Sequence, residues 1–149
     1  MNKQIKRLLA CVLIVSLSII SLTPLSAAKA FSGTVATFYN NVASATASIN
    51  INSSGKLTIG YKYSGYSSVT TKAVITTYIE KKILGLFWER VDIGITNNKW
   101  KDTVNDYRYS GIRTYQLSLS GTYRVTVIYN IYGSGGSADE IKCQAKDSY

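Results

Sequence analysis

The sequence predicts an all-β protein: one antiparallel β-sandwich of seven or eight strands that follows a cleavable signal peptide. Three observations lead to this prediction. Apolar and polar residues alternate with a period of two in most segments after residue 30, and no segment there has helical spacing. Clusters of Gly, Asn and Ser separate these segments at short intervals, as turns between strands do.

The first 30 residues predict a secretory leader. Basic residues among the first seven positions precede an apolar run over residues 8–25, and small residues follow at Ala28 and Ala30. This is the order of a basic, an apolar and a cleavage region. A retained membrane anchor is the weaker alternative, because Pro24 ends the run before the roughly 20 residues that a span needs. We therefore expect a secreted, extracellular protein without a stable membrane span after processing.

Residues 31–149 then form the predicted sandwich domain, which is long enough to bury a core without a metal or a disulfide. Cys143 is the one cysteine of this domain, because Cys11 belongs to the leader. Cys143 shares the parity of Ile141 and Ala145 within an alternating segment. A buried, chemically inert thiol is predicted there.

The first two hairpins follow from the alternation. Strands are predicted over 43–51 and 57–63, and the turn at 52–55 joins them. A segment rich in Thr, Val and Ile over 69–82 pairs with 86–95, and Gly85 supplies the positive φ that the tight turn between them requires.

The orientation of Trp88 stays open within the second hairpin. Val91, Ile93 and Ile95 share the parity expected of inward residues, whereas Trp88 has the opposite parity. Trp88 therefore lies on the outer surface of the sheet, or a β-bulge before Val91 turns it inward.

The C-terminal part contains a long irregular segment followed by the last strands. Residues 96–111 have no sustained period and are predicted to be a loop, part of which can form a short edge strand. Alternation resumes after residue 113, where Gly121 and Tyr123 stand before Val125 and Val127. This spacing resembles the tyrosine corner of immunoglobulin-like, Greek-key sandwiches, so Gly121 and Tyr123 are predicted to be structural.

Two motifs resemble a family pattern. The segment KKILGLFW over 81–88 and the segment GTYRV over 121–125 look like those of small, uncharacterised secreted β-sandwich proteins of Gram-positive bacteria. The resemblance covers about residues 70–149. It implies a fold and an extracellular compartment, and it carries over no functional residue.

The composition argues against an enzyme. Without histidine, the Ser-His-Asp and Cys-His catalytic arrangements and imidazole metal sites are excluded. A glycosidase would need two carboxylates that face each other at roughly 5–10 Å. Glu89 and Asp92 are predicted to point to opposite sides of a strand, as are Asp139 and Glu140. We therefore expect a protein without catalytic residues, cofactor or metal.

Three groups in which aromatic residues alternate with bases are the candidate binding residues. Their members are Trp88 and Arg90; Lys99, Trp100 and Lys101; and Tyr107, Arg108 and Tyr109. Aromatic rings stack on sugars, and neighbouring cations hold phosphate or carboxylate groups. The alternative is structural, since Tyr and Trp are ordinary residues of strands.

The charge narrows the possible partners. The chain has 17 basic and 8 acidic residues, and it keeps a positive balance when the four basic residues of the leader are removed. This favours a binding or adhesion module for anionic cell-wall polymers, extracellular polyanions or glycans. A bacteriocin-like or membrane-active antagonist is the alternative, and a protein partner that pairs with an edge strand stays open. Nucleic acid is not expected, because no basic run exceeds Lys81–Lys82.

Overall fold

The computed structural model describes residues 29–31, for their backbone, and residues 39–149. Most of the predicted signal peptide, including Ala28, lies outside the described residues, whereas Ala30 falls in a short strand. The described part is built of strands and contains no α-helix, so the all-β prediction is confirmed there. Within the same ranges, no helix is long and apolar enough to cross a membrane.

Nine strands and one 3-10 turn make up the regular structure of the described residues. The strands are β1 (Lys29–Phe31), β2 (Val42–Ile51), β3 (Lys56–Gly65), β4 (Thr70–Ile83), β5 (Phe87–Arg90), β6 (Trp100–Val104), β7 (Arg108–Gln116), β8 (Thr122–Gly133) and β9 (Asp139–Ser148). The 3-10 turn, Thr96–Asn98, stands before β6.

The strands form two antiparallel sheets. Sheet I has the order β1-β2-β3-β7, and sheet II has the order β5-β4-β8-β9. Strand β6 also belongs to sheet II, because it pairs with residues 73–77 of β4 while β5 pairs with residues 80–83. The long β4 thus carries two short strands along one edge and β8 along the other.

The inward residues of both sheets form one hydrophobic core. Tyr129 of β8 joins the two layers, because its ring lies 6.2 Å from that of Tyr63 and its hydroxyl donates a 2.6 Å hydrogen bond to the carbonyl of Thr46. Cys143 is fully buried in this core, as predicted. The two sheets therefore enclose a common interior in the manner of a sandwich.

A buried carboxylate fixes the start of β2 against β9. Asp139 accepts hydrogen bonds from the backbone N–H of Asn41 at 2.6 Å and of Asn40 at 3.3 Å. The carbonyl of Asn41 in turn accepts a hydrogen bond from the hydroxyl of Thr70 at the start of β4. This network closes one end of the core with satisfied polar groups.

The structure differs from the sequence prediction at three points: residues 96–111, Ile95 and the number of strands. Residues 96–111 were predicted to be a loop that can include a short edge strand; β6 is that edge strand, whereas the start of β7 is a further strand that the prediction missed. The inward parity of β6 includes the polar Asp102, which hid the alternation. Ile95 is exposed, since β5 ends at Arg90 and the chain then leaves the sheet. Counting β1 and β6, the described strands exceed the seven or eight expected.

The β4–β5 turn has the predicted Gly85 in a left-handed conformation, with φ of 70°. Leu84 before it also has a positive φ, of 50°, and the N–H of Leu86 donates a 2.9 Å hydrogen bond to the carbonyl of Ile83. Type I′ hairpin turns have this pattern and favour Asn-Gly. A left-handed leucine is less favourable by about 1 kcal/mol.

Candidate functional site

Trp88 lies on the outer surface of sheet II and is surrounded by cations. The pairing of β4 with β5 is continuous from Ile83–Phe87 to Glu80–Arg90, so no bulge turns Trp88 inward. The guanidinium carbon of Arg124 lies 4.4 Å from the centroid of the indole ring. The ammonium groups of Lys146 and Lys82 lie 5.6 Å and 6.0 Å from it. We call these four residues the Trp88 cluster.

Strand register assembles this cluster from four strands. Lys82 is the direct partner of Trp88 across β4 and β5, and Arg124 is the direct partner of Lys146 across β8 and β9. Arg124 and Lys146 have outward parity because they stand next to the buried Val125 and Ala145. Lys82 and Trp88 lie on the same side, because the indole ring contacts all three basic residues. Cation–π attraction to the indole offsets part of the repulsion between the three positive groups.

Glu80 partly balances the charge of the cluster. Its Oε2 accepts a 2.8 Å hydrogen bond from Nε of Arg124, and Nη2 of the same guanidinium is also 2.8 Å away. A single carboxylate among three cations leaves the surface positive, and Lys82 and Lys146 remain exposed to solvent. The arrangement therefore presents one aromatic ring and several positive charges to an anionic ligand.

Other outward residues extend this surface. Arg90 stacks on the ring of Tyr78, with its guanidinium carbon 3.5 Å from the ring centroid. Lys101 pairs with Thr76 across β6 and β4 and is exposed on the same side. The predicted binding residues Trp88, Arg90 and Lys101 thus share the outer surface of sheet II.

Trp100 has a different environment, although it also stands between bases. Its ring packs edge-on against Tyr115 at 6.3 Å and lies 5.5 Å from the guanidinium carbon of Arg113. Arg113 of β7 forms an ion pair with Asp102 of β6. Together, Trp100, Tyr115, Arg113 and Asp102, with Tyr61, form what we call the Trp100 cluster.

The Trp100 cluster ties the two sheets together at their open side. The hydroxyl of Tyr61 on β3 donates a 3.1 Å hydrogen bond to Asp102, so residues of sheet I hold β6 of sheet II. Burial, and then the charge of Asp102, raise the pKa of Tyr61 to about 12. Burial also raises the pKa of Tyr63 to about 12, and the charge of Asp106 adds to this. These tyrosines stay neutral and serve as hydrogen-bond donors at neutral pH.

The third predicted group divides between the interior and the surface of sheet I. Tyr109 packs against the core, with its ring 6.1 Å from that of Tyr61. Arg108 is exposed and lies over the half-buried ring of Tyr107 at 5.2 Å. Lys99 is exposed in the segment just before β6. The three groups of the sequence prediction do not form one continuous site.

Sequence reasoning missed Lys82, Arg124 and Lys146. None of them has an aromatic residue beside it in a pattern that marks a binding group, and only the pairing of β4, β5, β8 and β9 brings them to Trp88. The signal that was available is their outward parity next to buried neighbours, for example Arg124 between Tyr123 and Val125. Without the strand order, that signal cannot be converted into a site.

The two residues predicted to be structural lie at the start of β8. The hydroxyl of Tyr123 donates a hydrogen bond to the carbonyl of Leu119, four residues earlier. The ring of Tyr123 stacks on that of Tyr149 at 6.3 Å. Gly121 has a positive φ of 148°, and its N–H donates a 3.0 Å hydrogen bond to the carbonyl of Tyr149. Both residues therefore connect the β7–β8 loop to the C-terminal segment.

A shallow groove lies beside this loop, at the end of the hairpin formed by β4 and β5. Its volume is about 240 Å³. Its walls include Lys81, Arg90 and one acid, Glu89, with Ile83 and Leu119. Among the described residues, no three side chains of His, Cys, Asp or Glu are grouped as metal ligands would be.

Comparisons with known proteins add no family. No protein-family model matches the sequence, and no curated protein is significantly similar to it. Function is therefore inferred from the chemistry of the described surfaces alone.

Proposed function

We propose that this chain is a secreted, non-enzymatic binding module of a Gram-positive bacterium, and that it attaches to anionic cell-wall polymers or extracellular glycans. The observation that carries the proposal is the Trp88 cluster. It places one indole ring and three cations from separate strands on the outer surface of a rigid sheet.

The cluster matches the chemistry of a polymer that alternates sugar or polyol units with phosphate. An indole ring stacks on the apolar side of a sugar, while Lys and Arg hold phosphate oxygens around it. The stacked pair of Arg90 and Tyr78 repeats this combination on the same surface. A repeating polymer can engage both positions at once, which strengthens weak individual contacts.

The proposal includes an immunoglobulin-like, Greek-key fold. Strands β2, β3 and β7 face a second sheet in which β4 and β8 are central and β5 and β9 lie at the edges. The hydrogen bond from Tyr123 to Leu119 at the start of the penultimate strand supports the same assignment. In such folds, binding residues lie on a scaffold that the core keeps rigid.

Retention of the processed protein on purified wall teichoic acid at low salt tests the proposal. We expect the wild-type protein to be retained and to elute as salt rises, because screening weakens contacts between exposed charges. The double variant Lys82→Gln/Lys146→Gln should bind about thirtyfold more weakly, at about 1 kcal/mol for each cation. Trp88→Ala should also weaken retention.

A matched control separates this surface from net charge. Lys56 and Lys62 are exposed on the outer side of sheet I, so Lys56→Gln/Lys62→Gln removes the same charge elsewhere. Retention of this control should match that of the wild type. Equal losses in both double variants would reduce the effect to general electrostatics, and no retention of the wild-type protein would refute the proposal.

A further inference from the structure

The turn between β4 and β5 exposes an unusual amount of apolar surface. Leu84, Leu86 and Phe87 are 82%, 74% and 57% exposed. Leu119 of the β7–β8 loop, 61% exposed, lies beside the same hairpin and lines the groove there with Ile83. We call residues 83–87 the hairpin tip.

The conformation of the tip makes its leucine unexpected. Leu84 has the positive φ that Asn or Gly adopts more easily, and nothing lies within 4 Å of a side-chain carbon placed at Gly85. The tip therefore projects into solvent, and Leu84 buries little of its surface against the protein. A strained, exposed apolar residue indicates a role outside the folding of the chain.

Positive charge exceeds negative charge around the base of the tip, where the acids are Glu80 and Glu89. Lys82 and Trp88 form the register pair next to Ile83 and Phe87, and Arg90 follows two residues after Trp88. These residues lie within about 10 Å of the turn, at about 3.3 Å for each residue along a strand. Arg124 and Lys146 contact the ring of Trp88 from the neighbouring strands. The apolar hairpin tip is therefore followed, along the hairpin, by the indole ring of Trp88 and the basic side chains around it.

We propose that the hairpin tip inserts into the surface of an anionic lipid bilayer. Leu84, Leu86 and Phe87 enter the boundary between the headgroups and the acyl chains, and Trp88 lies at headgroup depth. The cations of the Trp88 cluster then face the lipid phosphates. Apolar insertion combined with attraction to anionic lipids is the usual basis of interfacial binding.

The surrounding charge selects a lipid surface over a second copy of the chain. Contact between two tips would bring two Trp88 clusters of the same sign together, which is unfavourable. A bilayer with anionic headgroups instead offers negative charge to the cations and apolar acyl chains to the side chains of the tip. The inference shares the cations of the proposed function, but it does not require binding to wall polymers.

Binding of the processed protein to vesicles tests the inference. Dextran sulfate, a polyanion without a lipid phase, serves as the comparison that reports on the cations alone. We expect binding to vesicles that contain phosphatidylglycerol and much weaker binding to vesicles of phosphatidylcholine alone. The tip variant Leu84→Asn/Leu86→Ser/Phe87→Ser should lose ~10-fold or more in affinity for the anionic vesicles. Its retention on dextran sulfate should not change, because the cations remain.

Two further variants keep this experiment decisive. Ile112→Ser is the matched control, since Ile112 is 74% exposed, like Leu86, but lies on the outer side of sheet I; it should bind vesicles as the wild type does. Leu84→Asn alone should not lower the melting temperature, because Asn tolerates a positive φ. A cooperative melting transition of the tip variant itself, with unchanged binding to dextran sulfate, shows that its loss of vesicle binding does not come from unfolding.

The depth of Trp88 gives an independent measurement. In a Trp100→Phe background, Trp88 is the one remaining tryptophan, and brominated lipids should quench its emission in anionic vesicles. Unchanged vesicle binding by the tip variant would overturn the inference. So would a wild-type dimer that the tip variant loses.

The outcomes also separate this inference from the proposed function. Loss of wild-type retention on wall polymer, with tip-dependent vesicle binding intact, would refute only the proposed function. Retention on wall polymer without vesicle binding would refute only the membrane inference.

Discussion

Trp88 and Trp100 are the two tryptophans of the chain, and each has a basic residue within two positions in the sequence. Trp88 lies on the outside of sheet II, where its ring contacts the side chains of three basic residues. Trp100 packs against Tyr115 and the Asp102–Arg113 ion pair, between the two sheets. One tryptophan is available to a ligand, and the other is used to hold the sandwich closed.

The difference shows that a local pattern of aromatic and basic residues does not define a binding site. In the Trp100 cluster, the arginine is neutralised by a carboxylate and the tyrosine hydroxyl is used within the fold. In the Trp88 cluster, positive charge exceeds negative charge and the lysines remain exposed. Two properties decide whether such a tryptophan stabilises the fold or is available to a ligand: whether it points inward or outward on its strand, and whether a carboxylate neutralises the basic residue beside it.

Alkaline pH should have the largest effect, and it should act on Tyr61 of the Trp100 cluster and on Tyr63, its neighbour in β3. The pKa values of Tyr61 and Tyr63 are raised to about 12, whereas an unfolded tyrosine has a pKa of about 10. The neutral forms therefore stabilise the fold fully below about pH 10, and this stabilisation is lost as pH rises to about 12. We expect circular dichroism to show unfolding in this range.

The tyrosine absorbance at high pH provides the check. Tyr61 and Tyr63 should ionise together with unfolding, later than the exposed tyrosines. If every tyrosine ionised near pH 10 while the strand signal persisted, the buried hydrogen bonds of the Tyr61 and Tyr63 hydroxyls would be contradicted.

Truncation of the two tryptophans should separate stability from binding. Trp100→Ala removes the packing between β6 and β7, and we expect the free energy of unfolding to fall by about 2–3 kcal/mol. Trp88→Ala should lower it by less than about 1 kcal/mol, because only surface contacts are lost. Urea denaturation of both variants measures the difference. Similar losses in the two variants would contradict the assignment of separate roles.

Removal of the carboxylate that pairs with the arginine of each cluster should have smaller effects on stability, and it should change retention in one case only. Glu80→Gln frees Arg124, so retention on an anionic polymer should rise a few-fold while stability falls by about 1 kcal/mol. Asp102→Asn should lower stability by about 1–2 kcal/mol, since Arg113 loses its charged partner, and should leave retention unchanged. A gain of retention in Asp102→Asn would show that the Trp100 cluster also contacts the polymer.

Ionic quenching of fluorescence should give the smallest effect. Iodide is attracted to the cations around Trp88, so it should quench the Trp100→Phe variant about twofold more strongly than neutral acrylamide predicts. The Trp88→Phe variant, which reports on Trp100, should show no such preference. Equal iodide quenching in both variants would argue against the charge difference between the clusters.

The sequence was sufficient for the class of fold and for several local features. Period-two alternation identified the β2–β3 and β4–β5 hairpins, and the requirement for a positive φ identified Gly85. It failed at β6, where Asp102 takes an inward position because Arg113 and Tyr61 satisfy it from another sheet. Alternation records hydrophobicity, so an inward polar residue with a distant partner is not visible to it.

The candidate site was less predictable than the fold. Trp88 and Arg90 were identified from local composition, but Lys82, Arg124 and Lys146 come from three strands whose order alternation does not determine. The exposure of Trp88 depended on the absence of a bulge, which a single sequence does not specify. Sites that form across a sheet need the register of the sheet.

Strand β1 overlaps the predicted cleavage region of the leader, so cleavage there would change sheet I. Lys29–Phe31 pairs with residues 47–49 of β2, while the predicted cleavage motif ends at Ala30. A cut after Ala30 would remove two of the three residues of β1 and leave residues 47–49 of β2 as an unpaired edge of sheet I. A cut after Ala28 would preserve the strand. If the predicted leader is removed, the mass of the processed polypeptide would report whether β2 stays covered or becomes open to pairing with another chain.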